Sequence, residues 1–145
     1  MRALVDTCVI MDALQSREPF AGDAQALLLA AANQQFMGYV TAKEMTDIYY
    51  LTHRCTHDRG VTKTLMARIA ALLEILDTTE SDIRRALASD LSDCEDAVMV
   101  ETAIRERIDC IVTRNLHDFS ASRISVFSPR DFLTKLEQEN QKAGE

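Results

Sequence analysis

The chain has 145 residues, 47% of them apolar and 27% charged, which is enough to bury one core and too few for two ordinary domains. Its net charge of −7 excludes a protein that holds nucleic acid through a broad basic surface alone. The apolar stretch from Ala3 to Leu14 is interrupted by Asp6 and Asp12, so it reads neither as a secretory segment nor as a membrane span, and a soluble cytoplasmic protein is expected. Cys8, Cys55, Cys94 and Cys110 form no C-x-x-C pair and read as free thiols. One domain is expected over residues 1–139, with a polar tail at 140–145 that is free to fray.

In chain order, Ala3–Val5 reads as a first strand, followed by helices over Thr7–Gln15 and Asp23–Ala32. Phe36–Val40 forms a second strand leading into helices at Ala42–Arg54 and Val61–Glu74. After a short strand at Ile75–Leu76 come helices at Ser81–Ala88 and Asp93–Arg107. Strands at Cys110–Val112 and Ile124–Phe127 and a helix at Pro129–Gln138 complete the chain. Thr41…Glu44 and Ser92…Glu95 match the capping box, and Ser128 precedes a proline at a first helical position. Strands alternating with helices imply right-handed crossovers and a mainly parallel sheet covered on both faces, a three-layer α/β/α domain.

In such sheets the functional crevice lies beyond the carboxyl ends of the strands, where strand order reverses. Asp6 follows the first strand, Glu44 lies in the first turn after the second, and Asn115 to Asp118 follow the fourth. Asp93 and Asp96 open the helix leading into that fourth strand, three residues apart on one helical face, with Glu95 pointing elsewhere. Each has a simpler reading taken singly. Asp6 reads as a helix cap, Glu44 as the third residue of a capping box, and Asp93 and Asp96 as acids suited to a helix dipole. Together they make a cluster whose mutual repulsion calls for a cation, and hard oxygen donors select Mg²⁺ or Mn²⁺. A pair of such ions would polarise a phosphodiester and activate water.

The stretches Leu4-Val-Asp6-Thr-Cys-Val-Ile-Met-Asp12, Thr41-Ala-Lys-Glu44, Asp93-Cys-Glu95-Asp96 and Thr113-Arg114-Asn115-Leu-His-Asp118-Phe119 resemble, in order and spacing, the PIN-domain nucleases. The likeness spans nearly the whole chain, with Ser128-Pro129-Arg-Asp-Phe-Leu similar to the closing segment of that family. It implies a five-stranded parallel sheet and a Mg²⁺- or Mn²⁺-dependent ribonuclease, often the toxin of a bacterial toxin–antitoxin pair. Carried over residue by residue, Asp6, Glu44 and Asp96 match the invariant acids, and Asp93 matches the extra acid of the D-x-E-D subgroup. The fourth position, where many members have Asp, is Asn115 here, with Asp118 three residues on.

The expected catalytic set is therefore Asp6, Glu44, Asp93, Asp96 and Asn115, the four acids as metal ligands and Asn115 orienting water or substrate. Thr7, Arg114 and Asp118 are expected to contact substrate, Arg114 as a planar donor to phosphate. The expected partners are RNA, a cognate antitoxin and a second copy of the chain. Three rival readings remain at this stage. One is a PIN-like module that binds RNA or protein with weak or no cleavage, because Asn115 removes an acid. A phosphohydrolase or receiver-like domain phosphorylated on Asp6 is disfavoured by Cys8, which stands where a second Asp belongs. Zinc at His53, Cys55 and His57 is disfavoured by the missing H-E-x-x-H glutamate. His53, Arg54, His57, Arg59, Lys63 and Arg68 read as a basic patch, Tyr49 and Tyr50 as packing residues or base-stacking aromatics, and Leu27–Leu29, Ile69, Leu72 and Leu73 as core.

Overall fold

The computed structural model describes residues 1–144. Five strands, β1 (Arg2–Val5), β2 (Met37–Thr41), β3 (Glu74–Leu76), β4 (Cys110–Val112) and β5 (Ser125–Phe127), form one parallel sheet in the order β3-β2-β1-β4-β5. Every neighbouring pair is parallel, with Ala3 opposite both Gly38 and Cys110, and Val5 opposite Val112. The chain builds outward from β1 to β3 on one side, then crosses over to add β4 and β5 on the other. Strand order therefore reverses between β1 and β4, which puts the crevice at the carboxyl ends of those two strands.

Seven helices cover the sheet: α1 (Thr7–Leu14), α2 (Ala21–Ala32), α3 (Ala42–Thr56), α4 (Arg59–Leu72), α5 (Glu80–Leu87), α6 (Cys94–Arg105) and α7 (Pro129–Ala143). Alternate strand residues face opposite layers, as the pleat requires. Ala3, Val5, Val40, Cys110 and Val112 pack with α1, α2, Ile48, Ile69 and Phe132 on one face. Leu4, Tyr39, Leu76 and Ile111 pack with Met99, Val100 and Ala103 of α6 on the other. The central strands are buried on both sides, which is why Ala3–Val5 and Cys110–Val112 read as unbroken apolar runs.

All twelve expected elements form, with shifted ends. A 3-10 turn at Leu116–Phe119 was not anticipated, and α7 runs on to Ala143 instead of stopping at Gln138. Of the polar tail expected at 140–145, residues up to Ala143 are thus helical, and Glu145 lies outside the described residues. Polar side chains on the exposed face of a terminal helix give no sign of where it stops. The start of α6 also differs: Asp93, not Ser92, is its N-cap, with its carboxylate accepting from the Asp96 N–H at 3.0 Å. Leu29 is 62% exposed, while Leu27, Ile69 and Leu73 are buried as expected. Among the described residues no helix is long and apolar enough to cross a membrane.

A capping box of Thr79 and Asp82 starts α5 and also docks it. The fully buried Asp82 carboxylate accepts from Arg105 Nε at 2.9 Å, Arg105 Nη2 at 3.0 Å and Thr102 Oγ1 at 2.9 Å, all three donors on α6. Because α6 carries Asp96, this pair helps to fix the position of that acid. Asp82→Ala leaves a partly buried guanidinium and a hydroxyl without their acceptor, and is expected to cost about 2–3 kcal/mol. Urea unfolding of the variant beside the native chain measures that cost.

Candidate active site

Asp6 is the residue immediately after β1, and its backbone N–H continues the sheet by donating to Val112 O at 2.9 Å. Although it occupies the N-cap position of α1, its side chain makes no capping bond. Its Oδ2 accepts instead from Thr113 Oγ1 at 2.7 Å and from Cys8 Sγ at 3.4 Å. The helix-cap reading of Asp6 is therefore displaced: the carboxylate makes no side-chain capping bond and is held by Thr113 and Cys8 instead. Burial and the neighbouring Asp6 push the Cys8 thiol up to about 12, so it stays protonated and serves as a donor.

Glu44 divides its two oxygens between two roles. Oε1 accepts from the Thr41 N–H at 3.1 Å while the Glu44 N–H donates to Thr41 Oγ1 at 3.0 Å, completing the capping box that starts α3. Oε2 accepts from Thr7 Oγ1 at 3.3 Å and is otherwise directed toward the acid cluster. Burial, and next the charge of Asp6, hold the Glu44 carboxyl well above the usual carboxylate range.

Asp96, in the first turn of α6, is half-buried. Burial comes first, followed by the charges of Asp93, Asp6, Asp118 and Glu95, in raising its carboxyl from 3.8 to about 7. Asp6 is raised as well, by burial, against lowering hydrogen bonds from Thr113 and Cys8. Asp6, Thr7, Glu44 and Asp96 line one cavity of about 240 Å³ together with Lys43, Asp47 and Glu95. A larger hollow of about 450 Å³ between α5 and α6 has none of this character, since its buried Glu101 is already paired with Arg123.

The other expected residues fall less uniformly. Asp93 is exposed and engaged as the cap of α6, while Glu95, expected to point elsewhere, lines the cavity and pairs with Lys43 at 3.1 Å. Asn115 approaches through its backbone, donating to Thr113 Oγ1 at 3.0 Å, and it is Asp118 whose charge reaches Asp96. Arg114 is committed internally: its Nε and Nη2 bind both oxygens of the buried Asp12 at 2.8 and 3.2 Å, and its guanidinium lies 4.4 Å from the centre of the Phe20 ring. The zinc trio does not assemble, with His53 stacked on Tyr49 and Cys55 accepting from Gln15.

Sequence reading missed Thr113, Cys8, Lys43 and Asp12. In the sequence Thr113 is one residue of a motif, yet its buried hydroxyl joins Asp6 to the Asn115 backbone. The signal was its place after β4, next to β1 at the point of strand reversal. Lys43 carries no signal of its own in the sequence beside Glu44.

Among the described residues no three His, Cys, Asp or Glu side chains already converge as a closed metal cage. The donor chemistry fits a hard divalent cation all the same. Asp6, Glu44 and Asp96 offer carboxylate oxygens to one cavity, all three carboxyls are raised, and Lys43 is the one basic side chain lining it.

A PIN domain family model matches residues 2–117. The chain belongs to the PIN domain family. This PIN domain is similar in fold to a toxin–antitoxin complex from Klebsiella pneumoniae, with 21% identity, 88% of this chain and 97% of that chain covered, and a TM-score of 0.66. FitAcB from Neisseria gonorrhoeae matches at 20% identity, with 88% and 97% covered and a TM-score of 0.65. The sarcin-ricin loop cleaving toxin VapC20 of Mycobacterium tuberculosis matches at 14% identity, with 75% and 86% covered and a TM-score of 0.59. No curated protein sequence gives a match.

The raised carboxyls have a measurable consequence. Between pH 3.8 and about 7 the folded PIN domain holds a proton at Asp96 that the unfolded chain has released. The folded state then binds more protons, so its stability falls as pH rises through that window. Urea midpoints in chelator are expected to decline from the acid to the neutral end, and Asp96→Asn is expected to flatten the decline. A rise across the window in the native protein contradicts the repulsive cluster.

Proposed function

We propose that this PIN domain is a cytoplasmic, Mg²⁺- or Mn²⁺-dependent endoribonuclease, the toxin of a toxin–antitoxin pair with a cognate antitoxin as partner. The observation that carries the reading is the meeting of Asp6, Glu44 and Asp96 in one cavity beyond the carboxyl ends of β1 and β2, with all three carboxyls raised. The printed descriptions of the structural neighbours, toxin–antitoxin complexes and a toxin that cleaves the sarcin-ricin loop, support the biological setting.

In this reading Asp6, Glu44 and Asp96 hold the metal. Asp93 acts from outside as helix cap and charge neighbour, Thr113 and Cys8 fix the rotamer of Asp6, and Thr7 steers Glu44. Divalent cations, when bound there, would polarise a phosphodiester and activate a water. Asp118 takes the part of the fourth acid that Asn115 does not supply, since its charge reaches Asp96. Asn115 lies on the same segment to orient water or substrate. A homodimer has the exposed apolar side chains Leu29 and Leu87 available as contacts.

Glu44 separates metal binding from folding. Glu44→Gln keeps an acceptor oxygen for the Thr41 N–H and is expected to fold with near-native stability in chelator while losing most metal-dependent RNA cleavage. Glu44→Ala is expected to lose cleavage and also about 0.5–2 kcal/mol of stability through the broken capping box. Mn²⁺ or Mg²⁺ is expected to raise the Tm of the native chain and to raise that of Glu44→Gln less. A fully active Glu44→Gln, or a Tm that excess metal leaves unmoved, overturns the proposal.

A further inference from the structure

Three acids are buried outside the acid cavity, and two of them have both oxygens bound. Arg114 binds both oxygens of Asp12. Arg105 binds both oxygens of Asp82, and Thr102 and the Thr79 N–H add to one of them. Glu101, in the middle of α6, is different. It is only 3% exposed, yet the one hydrogen bond its carboxylate accepts among the described residues runs from Arg123 Nη2 to Oε1, at 2.5 Å. Oε2 is left without a donor. Since no enclosed side-chain oxygen or nitrogen among the described residues lacks a partner, Oε2 is open to solvent, through the hollow of about 450 Å³ between α5 and α6 that Glu101 lines.

The pair with Arg123 does not account for this arrangement. Tying the segment before β5 to α6 needs one oxygen and one N–H, and a well-packed apolar contact serves stability as well as a buried ion pair does. Around Glu101 the hollow is walled by Ala88, Leu91, Val100, Ile104 and Ala121, all apolar, and completed by Arg85, Arg123 and Asp90. Arg85 forms no ion pair among the described residues, and Arg123 keeps the N–H groups that Glu101 does not take. Two guanidiniums against two carboxylates leave the lining without net charge. A simple anion placed here would meet the charge of Glu101, and a simple cation would meet the two arginines. A small zwitterion with an apolar tail has a partner for each of its parts. The volume lies in the range of small-ligand pockets, ~300–1,000 Å³.

We infer that the hollow between α5 and α6 binds a free α-amino acid with an aliphatic side chain of leucine size. The ammonium group donates to Glu101 Oε2, the carboxylate accepts from Arg85 and Arg123, and the side chain packs on Leu91, Val100 and Ile104. The Glu101–Arg123 pair stays intact in the complex, because the ligand uses the oxygen and the N–H groups that the pair leaves over. The hollow shares no lining residue with the acid cavity, so the site stands whether or not the nuclease reading does.

Calorimetric titration of the full chain in chelator, with L-leucine as the probe, tests the site. L-leucine is expected to bind saturably, with a Kd on the order of 1 mM or tighter. Isocaproate, which lacks the ammonium, and isoamylamine, which lacks the carboxylate, are each expected to bind at least about 10-fold more weakly, through the loss of one charged hydrogen bond. Glu101→Gln keeps an acceptor for Arg123 but loses the charge, and is expected to weaken L-leucine by about 10-fold or more while sparing isocaproate. Arg85→Gln, a change at an exposed position, is expected to weaken L-leucine and spare isoamylamine, which decides the matter even if Glu101→Gln fails to fold. No binding of L-leucine at about 10 mM, well above the expected Kd, overturns the site. So does a folded Glu101→Gln that binds L-leucine as the native chain does. Isocaproate or inorganic phosphate binding as tightly as L-leucine would make the hollow an anion patch, and isoamylamine doing so would make it a cation slot; either result overturns the inference.

Discussion

Like charges that share a cavity raise one another's cost of ionisation, and everything at the working end of this domain is organised around that repulsion. Asp6, Glu44 and Asp96 face a common space in which Lys43 is the lone basic group, and Lys43 is itself held by Asp47 and Glu95. A second cation, Arg114, lowers Asp6 less than its hydrogen bonds do and is itself bound to Asp12. The sheet and the helices compel the arrangement by burying apolar side chains on two faces, and the acids are carried along at the strand ends. The cluster is a liability to the fold, and a divalent cation would convert it into an asset.

Helix capping and the shared cavity divide the acids differently. At Asp6 the cap reading fails, because the carboxylate turns to Thr113 and leaves α1 without a side-chain cap. At Asp93 the cap reading succeeds, and the residue contributes to the site by its charge on Asp96. Glu44 does both at once, one oxygen in the capping box and the other toward the cavity. A capping box therefore does not argue against function: a carboxylate has two oxygens, and a box occupies one.

Most of the fold was legible in the sequence because its signals are local. Apolar runs at β1 and β4, periodic helices and cap residues at Thr41 and Ser128 each report on a few neighbouring residues. Asp6 and Glu44 stand out by their position just after strands, and Asp96 by its place in the first turn of a helix. What remained hidden depends on pairs distant in sequence. Nothing near Arg114 says that it will bind Asp12, and nothing near Thr113 says that it will meet Asp6. The end of α7 was hidden for another reason, since a solvated helical turn and a frayed tail have much the same composition.

The contact between Asp6 and Thr113 joins residues 107 positions apart. The strand that begins the chain is the centre of the sheet, and one of its two neighbours is the fourth strand to be made. At ~5–20 residues per second of synthesis, Asp6 waits on the order of 10 s for the threonine that orients it. Long-range parallel pairing adds to the delay, because the loop-closure entropy must be met before the contact forms. In a growing chain β1, β2 and Glu44 are consequently made before the residues after β4 that hold Asp6. The assembly of the acid cavity is thus a late event in the history of each molecule, arriving only with the last third of the polypeptide.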